Sequence, residues 1–157
     1  MIAWLLIAVA AQASSPGKLP PAQALPPPAG DEQVVLASVN ALLASFNRGD
    51  GAAMLRWVYP DGRVTATGTR ASGSGLRQES WTQFAARMQP GGGFEESISD
   101  PAVEIDGDAA MVWAPFVVRV GGKVSNCGVD HFDLVRDGGT WKVMNLTFSS
   151  RVTGCPQ

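Results

Sequence analysis

A single histidine, a single tyrosine and two cysteines are all that the 157 residues contain of those three types. One imidazole, with no second nitrogen or thiolate ligand near it, makes a poor metal site, so no metal and no other cofactor is expected. Two cysteines permit one pairing within the chain, Cys127 with Cys155, and a disulfide is the expected state in an exported protein. Intermolecular pairing and a pair of free thiols are the alternatives. An excess of either charge is also missing: 12 basic and 14 acidic side chains are scattered without runs. There is no basic face for a phosphate backbone and no polybasic patch for lipid headgroups, so nucleic acid is not an expected partner. The apolar run Ile2 to Ala11 is shorter than the ~20 residues a membrane-spanning helix needs, and stable membrane insertion is not expected.

That run fits the apolar segment of a secretory signal. Ala11 and Ala13 flank Gln12 at the small-residue spacing of a cleavage site, which predicts a signal peptide over residues 1–13 and export to a periplasm or to the exterior. No cysteine sits just after the cut, both lying near the far end, so no lipid anchor of the bacterial kind is expected. Residues 14–30, SSPGKLPPAQALPPPAG, are proline-rich and nearly uncharged, the composition of an extended linker. The Ser15 to Lys18 pattern inside it, Ser-x-x-Lys, matches penicillin-binding enzymes by chance, in a segment that builds no site. Residues 31–157 are near the commonest size of a single domain.

Within that domain Val35, Val39, Leu42, Leu43 and Phe46 recur at helical spacing over Asp31 to Asn47, with Asp31 as the expected N-cap. Ala53, Met54, Trp57 and Val58 predict a second, short helix, stopped by a Pro60-Asp61-Gly62 turn. Arg63 to Arg70 alternates as a strand. The Ala71 to Gly75 loop after it lacks the Lys-Ser or Lys-Thr of a phosphate loop. Trp81, Phe84, Ala85 and Met88 predict a third helix over Glu79 to Gln89, with Ser80 as cap. The remainder alternates as strands: Phe94 to Ile105, Ala109 to Val120, Lys123 to Arg136 and Trp141 to Val152, separated by turn signals. Helices gathered on one face of a mostly antiparallel, strongly bent sheet make an α+β roll, whose open end is a cone suited to a small molecule.

Two segments carry a family resemblance. FNRGDGAAMLRWVYPDGRV is similar to the Asn-x-Gly-Asp turn after the first helix of the nuclear transport factor 2-like superfamily, and VDHFDLVRDGGTWKVMNL resembles its last hairpin. The resemblance covers Asp31 to about Val152 and implies the cone-shaped, cystatin-like α+β roll shared by SnoaL-like cyclases, scytalone dehydratase and ketosteroid isomerase. It specifies a fold more than a chemistry. The isomerase carries an Asp-His-Phe run on the corresponding strand, which implies an oxyanion-donor role for Asp130. Its base and its tyrosine fall here on Ala66 and Leu42, so steroid isomerisation by that mechanism is not implied.

With a turn at Asp137 to Thr140, strict alternation places Asp130, Phe132, Leu134, Trp141, Val143, Asn145 and Thr147 on one face. His131, Asp133, Lys142, Met144, Leu146 and Phe148 fall on the other. Asp130 and its neighbour His131 therefore point apart. With the first face inward, the expected ligand-binding residues are Phe132, Leu134, Val143, Asn145 and Thr147, with Trp81 bordering the pocket from the third helix and Asp130 the candidate catalytic acid or base. An aspartate hydrogen-bonded within the structure, or solvated, is the competing reading. Trp57, Trp113, Phe84 and Met88 are expected in the core rather than in an aromatic cage. Ser149 and Ser150 have no nucleophile elbow around them.

Three functions stay open. The first is an exported domain binding a small apolar or aromatic molecule. The second is a cofactor-independent lyase, isomerase or cyclase using Asp130, helped by Asn145 or Arg63. The third is a homodimerising interaction module that uses Met144, Leu146 and Phe148 on the outer face.

Overall fold

The computed structural model describes residues 30–70 and 73–157. The expected signal peptide, the linker up to Ala29, and Ala71 and Ser72 of the glycine loop lie outside the described residues. Helix α1, Gly30–Arg48, buries the expected apolar stripe. It begins one residue early, so Asp31 and Glu32 occupy its first turn, where carboxylates oppose the positive end of the helix dipole. It ends in a Schellman motif: Gly49, at φ +65°, donates to Phe46 O at 2.8 Å and Asp50 N donates to Ser45 O at 3.0 Å. Asp50 then caps α2, Gly51–Met54, by accepting from Ala53 N at 2.8 Å.

The second helix is shorter than expected, because Val58 already belongs to strand β1, Val58–Arg70. Pro60-Asp61-Gly62, expected as a stop, is instead a register irregularity inside that strand. Gly62 is required there, since a Cβ at this position would lie 1.6 Å from Met144 O. A two-residue strand β2, Gly73–Ser74, pairs with the end of β1, and β3, Arg77–Ser80, runs antiparallel beside it. Glu79 is therefore a strand residue and not the start of a helix. Helix α3, Trp81–Ala86, starts from a complete capping box, Ser80 with Gln83, as the cap expectation required.

The expected strand Phe94 to Ile105 divides into β4, Phe94–Ile98, and β5, Ala102–Asp106. Both pair with β6, Ala109–Val120, and the break falls where Pro101 on one side and Pro115 on the other lack an N–H for the ladder. Strands β7, Lys123–Asp137, and β8, Thr140–Ser150, complete the meander. The main sheet order is β2-β1-β8-β7-β6-β4; β1 lies parallel to β8 and the other pairs are antiparallel. This is the α+β roll that the element order predicts. The helices cover the inner face, and the core forms where Val39, Leu42, Trp81, Val112, Phe132 and Val143 meet. Among the described residues no helix is long and apolar enough to cross a membrane.

Cys127 and Cys155 form a disulfide, with Cα atoms 5.6 Å apart. It ties the C-terminal segment to β7, where Cys127 and Arg151 already exchange two backbone hydrogen bonds.

Candidate functional site

The β7–β8 hairpin turns where the sequence predicts, with Asp137 opposite Thr140 and Arg136 opposite Trp141. Alternation then holds only as far as Leu134 opposite Val143. The next pair is Asp133 with Asn145, so Met144 is an extra residue, a β-bulge that reverses the facing of everything beyond it. The carbonyl of Met144 accepts from Trp81 Nε1 at 2.9 Å. The bulge corrects two expected ligand-binding residues. Asn145 faces outward, accepting from Arg63 N at 3.1 Å, and Thr147 is exposed on the same face opposite His131. Leu146 and Phe148, expected outside as an interaction stripe, face inward instead.

An open-ended cavity of about 290 Å³ lies between the sheet and the helices. Its walls are apolar: Phe46 from α1, Val64 and Ala66 from β1, Phe84 from α3, Phe116 and Val118 from β6, Leu146 and Phe148 from β8. Of the expected pocket residues only Asp130 lines it. Trp81, Phe132, Leu134 and Val143 are fully or almost fully buried, but they sit in the core and fill the closed end of the cone. The bulky inward residues after Asp130 occupy the space that strict alternation assigned to a ligand.

Asp130 is 1% exposed. Its carboxyl hydrogen-bonds the carboxyl of Glu96, which enters the cavity from β4. Two carboxylates offer acceptors only, so a hydrogen bond between them requires that one be protonated and donate. Oδ2 of Asp130 is accordingly buried with no ordinary donor beside it. Burial pushes the Asp130 pKa well above the usual carboxylate range, and the Glu96 charge and hydrogen bond push it further. Burial also raises Glu96, to about 7, while the hydrogen bond from Asp130 pulls it down. The two therefore titrate as one coupled pair, both raised, rather than as two independent carboxylates.

Glu96 is placed by the turn that ends α1. The side chain of Asn47 donates to Glu96 O at 3.0 Å and accepts from Glu96 N at 2.7 Å, clamping that one residue of β4. Sequence reasoning passed over Glu96, although alternation in β4 sets it on one face with Phe94 and Ile98, and a carboxylate among inward apolar positions was the available signal.

A second polar group stands at the β1–β3 side. Glu79 accepts from Arg87 Nε at 2.9 Å and from Arg87 Nη2, and Arg77 Nη2 reaches it at 3.5 Å. Burial alone raises the pKa of Glu79, but the bond and charge of Arg87 and the charge of Arg77 outweigh it and hold the carboxyl below its usual value. Arg70, Arg77, Glu79 and Arg87 all line the cavity, and none was singled out as a site residue from sequence.

His131 lies on the outer face as expected, 3.4 Å from Asp133 Oδ1 and against the Trp113 ring, apart from Asp130. Among the described residues no three histidine, cysteine, aspartate or glutamate side chains converge as metal ligands. Trp57, Phe84 and Met88 pack against the core, whereas Trp113, expected there too, is 51% exposed. Ala66 lines the cavity and Leu42 is buried, so both isomerase positions remain apolar and the second carboxyl comes from Glu96 on a different strand.

A family model described as the SnoaL-like domain matches residues 31–147. No curated protein matches the chain. Among solved structures, a protein of unknown function with a cystatin-like fold from Nostoc punctiforme shares 11% identity, over 80% of this chain and 95% of its own, at a TM-score of 0.63. A nuclear transport factor 2-like protein from Cytophaga hutchinsonii shares 16%, over 78% and 100%, at 0.64. A candidate dehydratase of the same fold family from Streptomyces avermitilis shares 18%, over 78% and 97%, at 0.59. At such identities the likeness shows the fold alone.

Proposed function

The chain belongs to the SnoaL-like domain family, of the nuclear transport factor 2-like fold, and on that premise we propose that it is an exported small-molecule-binding domain whose cavity moves a proton on its ligand. The reaction class is a lyase or isomerase step. The observation that carries this reading is the Asp130–Glu96 pair sharing a proton in a cavity whose sheet and helix walls carry Phe46, Val64, Phe84, Phe116, Leu146 and Phe148. A ligand carbonyl or hydroxyl entering there meets a neutral acid that donates as negative charge develops on oxygen. It also meets a carboxylate, Glu96, able to accept a proton from carbon or oxygen. Neither role draws on Asn145, whose side chain accepts from the Arg63 backbone N–H, or on Arg63; neither lines the cavity.

Export rests on the N-terminal sequence. The homodimer expectation, made on Met144, Leu146 and Phe148, loses the last two to the cavity, and on the outer sheet face Trp113 stands exposed beside His131. The candidate dehydratase from Streptomyces avermitilis is consistent with proton transfer on this fold without extending its substrate to this chain.

The test uses proton exchange on a generic probe. An enolisable aromatic ketone is incubated with the protein in deuterated water and the loss of its α-hydrogens is followed by proton NMR. The wild type is expected to accelerate exchange over Asp130→Asn by about a hundredfold or more, with the melting temperature of the variant not lowered. Equal exchange by the two proteins would reject the acid–base role.

A further inference from the structure

Three guanidinium groups line one wall of the cavity, against one carboxylate. Glu79 engages Arg87 through both of its oxygens, and Arg77 reaches it only at 3.5 Å. Arg70 donates to backbone carbonyls, to Gly75 O at 3.2 Å from both terminal nitrogens, and its Nε is buried with no acceptor among the described residues. Two positive charges at this wall are therefore left without a full counter-charge.

The sheet register sets the distance from this wall to the acid pair. Asp130 on β7, Phe148 on β8, Ala66 on β1 and Arg77 on β3 are successive partners in one row across four strands. Three strand spacings give about 14 Å along the curved sheet, which the two side chains, both lining the cavity, shorten from either end. The space left suits one or two rings, in keeping with about 290 Å³ and with the phenylalanines of the wall.

We infer that the ligand is an aromatic or alicyclic acid, held with its carboxylate on Arg77 and Arg70 and its rings on the apolar wall, so that an oxygen at its far end meets Asp130. This inference rests on the proton-transfer reading for what happens at that far end, but the arginine contact is separable from it. A guanidinium presents paired N–H donors matched to a carboxylate, and the buried Nε of Arg70 has no acceptor among the described residues.

The experiment titrates the purified protein by calorimetry, at neutral pH and low salt, with naphthalene carboxylate and with the matching naphthamide. The two probes share shape and differ in charge. The carboxylate is expected to bind about tenfold tighter or more. In the double variant Arg70→Gln, Arg77→Gln, that preference is expected to vanish while the affinity for the amide stays within about twofold, and a melting curve checks that the variant is folded. Equal affinities in the wild type, or a preference that survives the double substitution, would overturn the inference and leave the acid pair untouched. Failure of both probes to bind would overturn the cavity reading itself, and the inference with it.

Discussion

Asp130 and Glu96 share a proton because Asp130 is buried and two adjacent carboxylates repel each other. The pKa of each is raised above its unfolded value, first by burial. A raised carboxyl pKa means that the folded state binds more protons than the unfolded chain. The stability it contributes is therefore complete below the unfolded pKa and is lost as pH rises through the folded one, here through about 7 for Glu96. Glu79 has the opposite sign: its lowered pKa contributes stability above the usual carboxylate range that is lost on acidification. Denaturant melts should show the wild type losing on the order of 2 kcal/mol between about pH 5 and about pH 8 through the acid pair, and Asp130→Asn losing distinctly less. Identical pH profiles would contradict the shared proton. At this scale Asp130 was legible as an inward acid on an alternating strand, and its separation from His131 followed from the same rule. Glu96 was not, because its partner stands on a strand far away in the chain, and only the folded sheet brings the two together.

Elements set how far the alternation rule reaches. One extra residue, Met144, turns Asn145 and Thr147 out of the expected pocket and brings Leu146 and Phe148 in. Nothing in VMNLTF marks the bulge, since its cause lies elsewhere: Trp81 Nε1 binds the Met144 carbonyl, and Gly62 lets β1 pass close against it. The turn after α1 was legible as a turn, from Gly49 and Asp50, but its further role was not. Asn47, next to last in α1, holds both backbone groups of Glu96, so the helix end registers β4 against the helix. Asn47→Ala removes both bonds and should cost about 1–2 kcal/mol in global stability. Amide exchange should accelerate in β4 while the β6–β7 ladder stays protected. Unchanged exchange at Glu96 would show that the clamp does not hold the strand.

For the whole molecule, helix order, strand count and turn signals were enough to predict the roll, because the element pattern admits few packings. They were not enough to locate the cavity. Where a cone closes depends on which inward side chains fill it, and Phe132, Leu134, Val143 and Trp81 do so at one end. The open end is left to the acid pair on one side and the arginine wall on the other. The functional account therefore stands on a group that only the assembled fold creates. The direct test is a carbon-13 NMR titration of the side-chain carboxyls in the purified protein, with Asp130 and Glu96 assigned by Asp130→Asn and Glu96→Gln. The account predicts that the two titrate as a coupled pair above the usual carboxylate range, one step falling near about 7, so that the pair still holds a proton at neutral pH. Both groups titrating independently near about 4, as exposed carboxylates do, would contradict it.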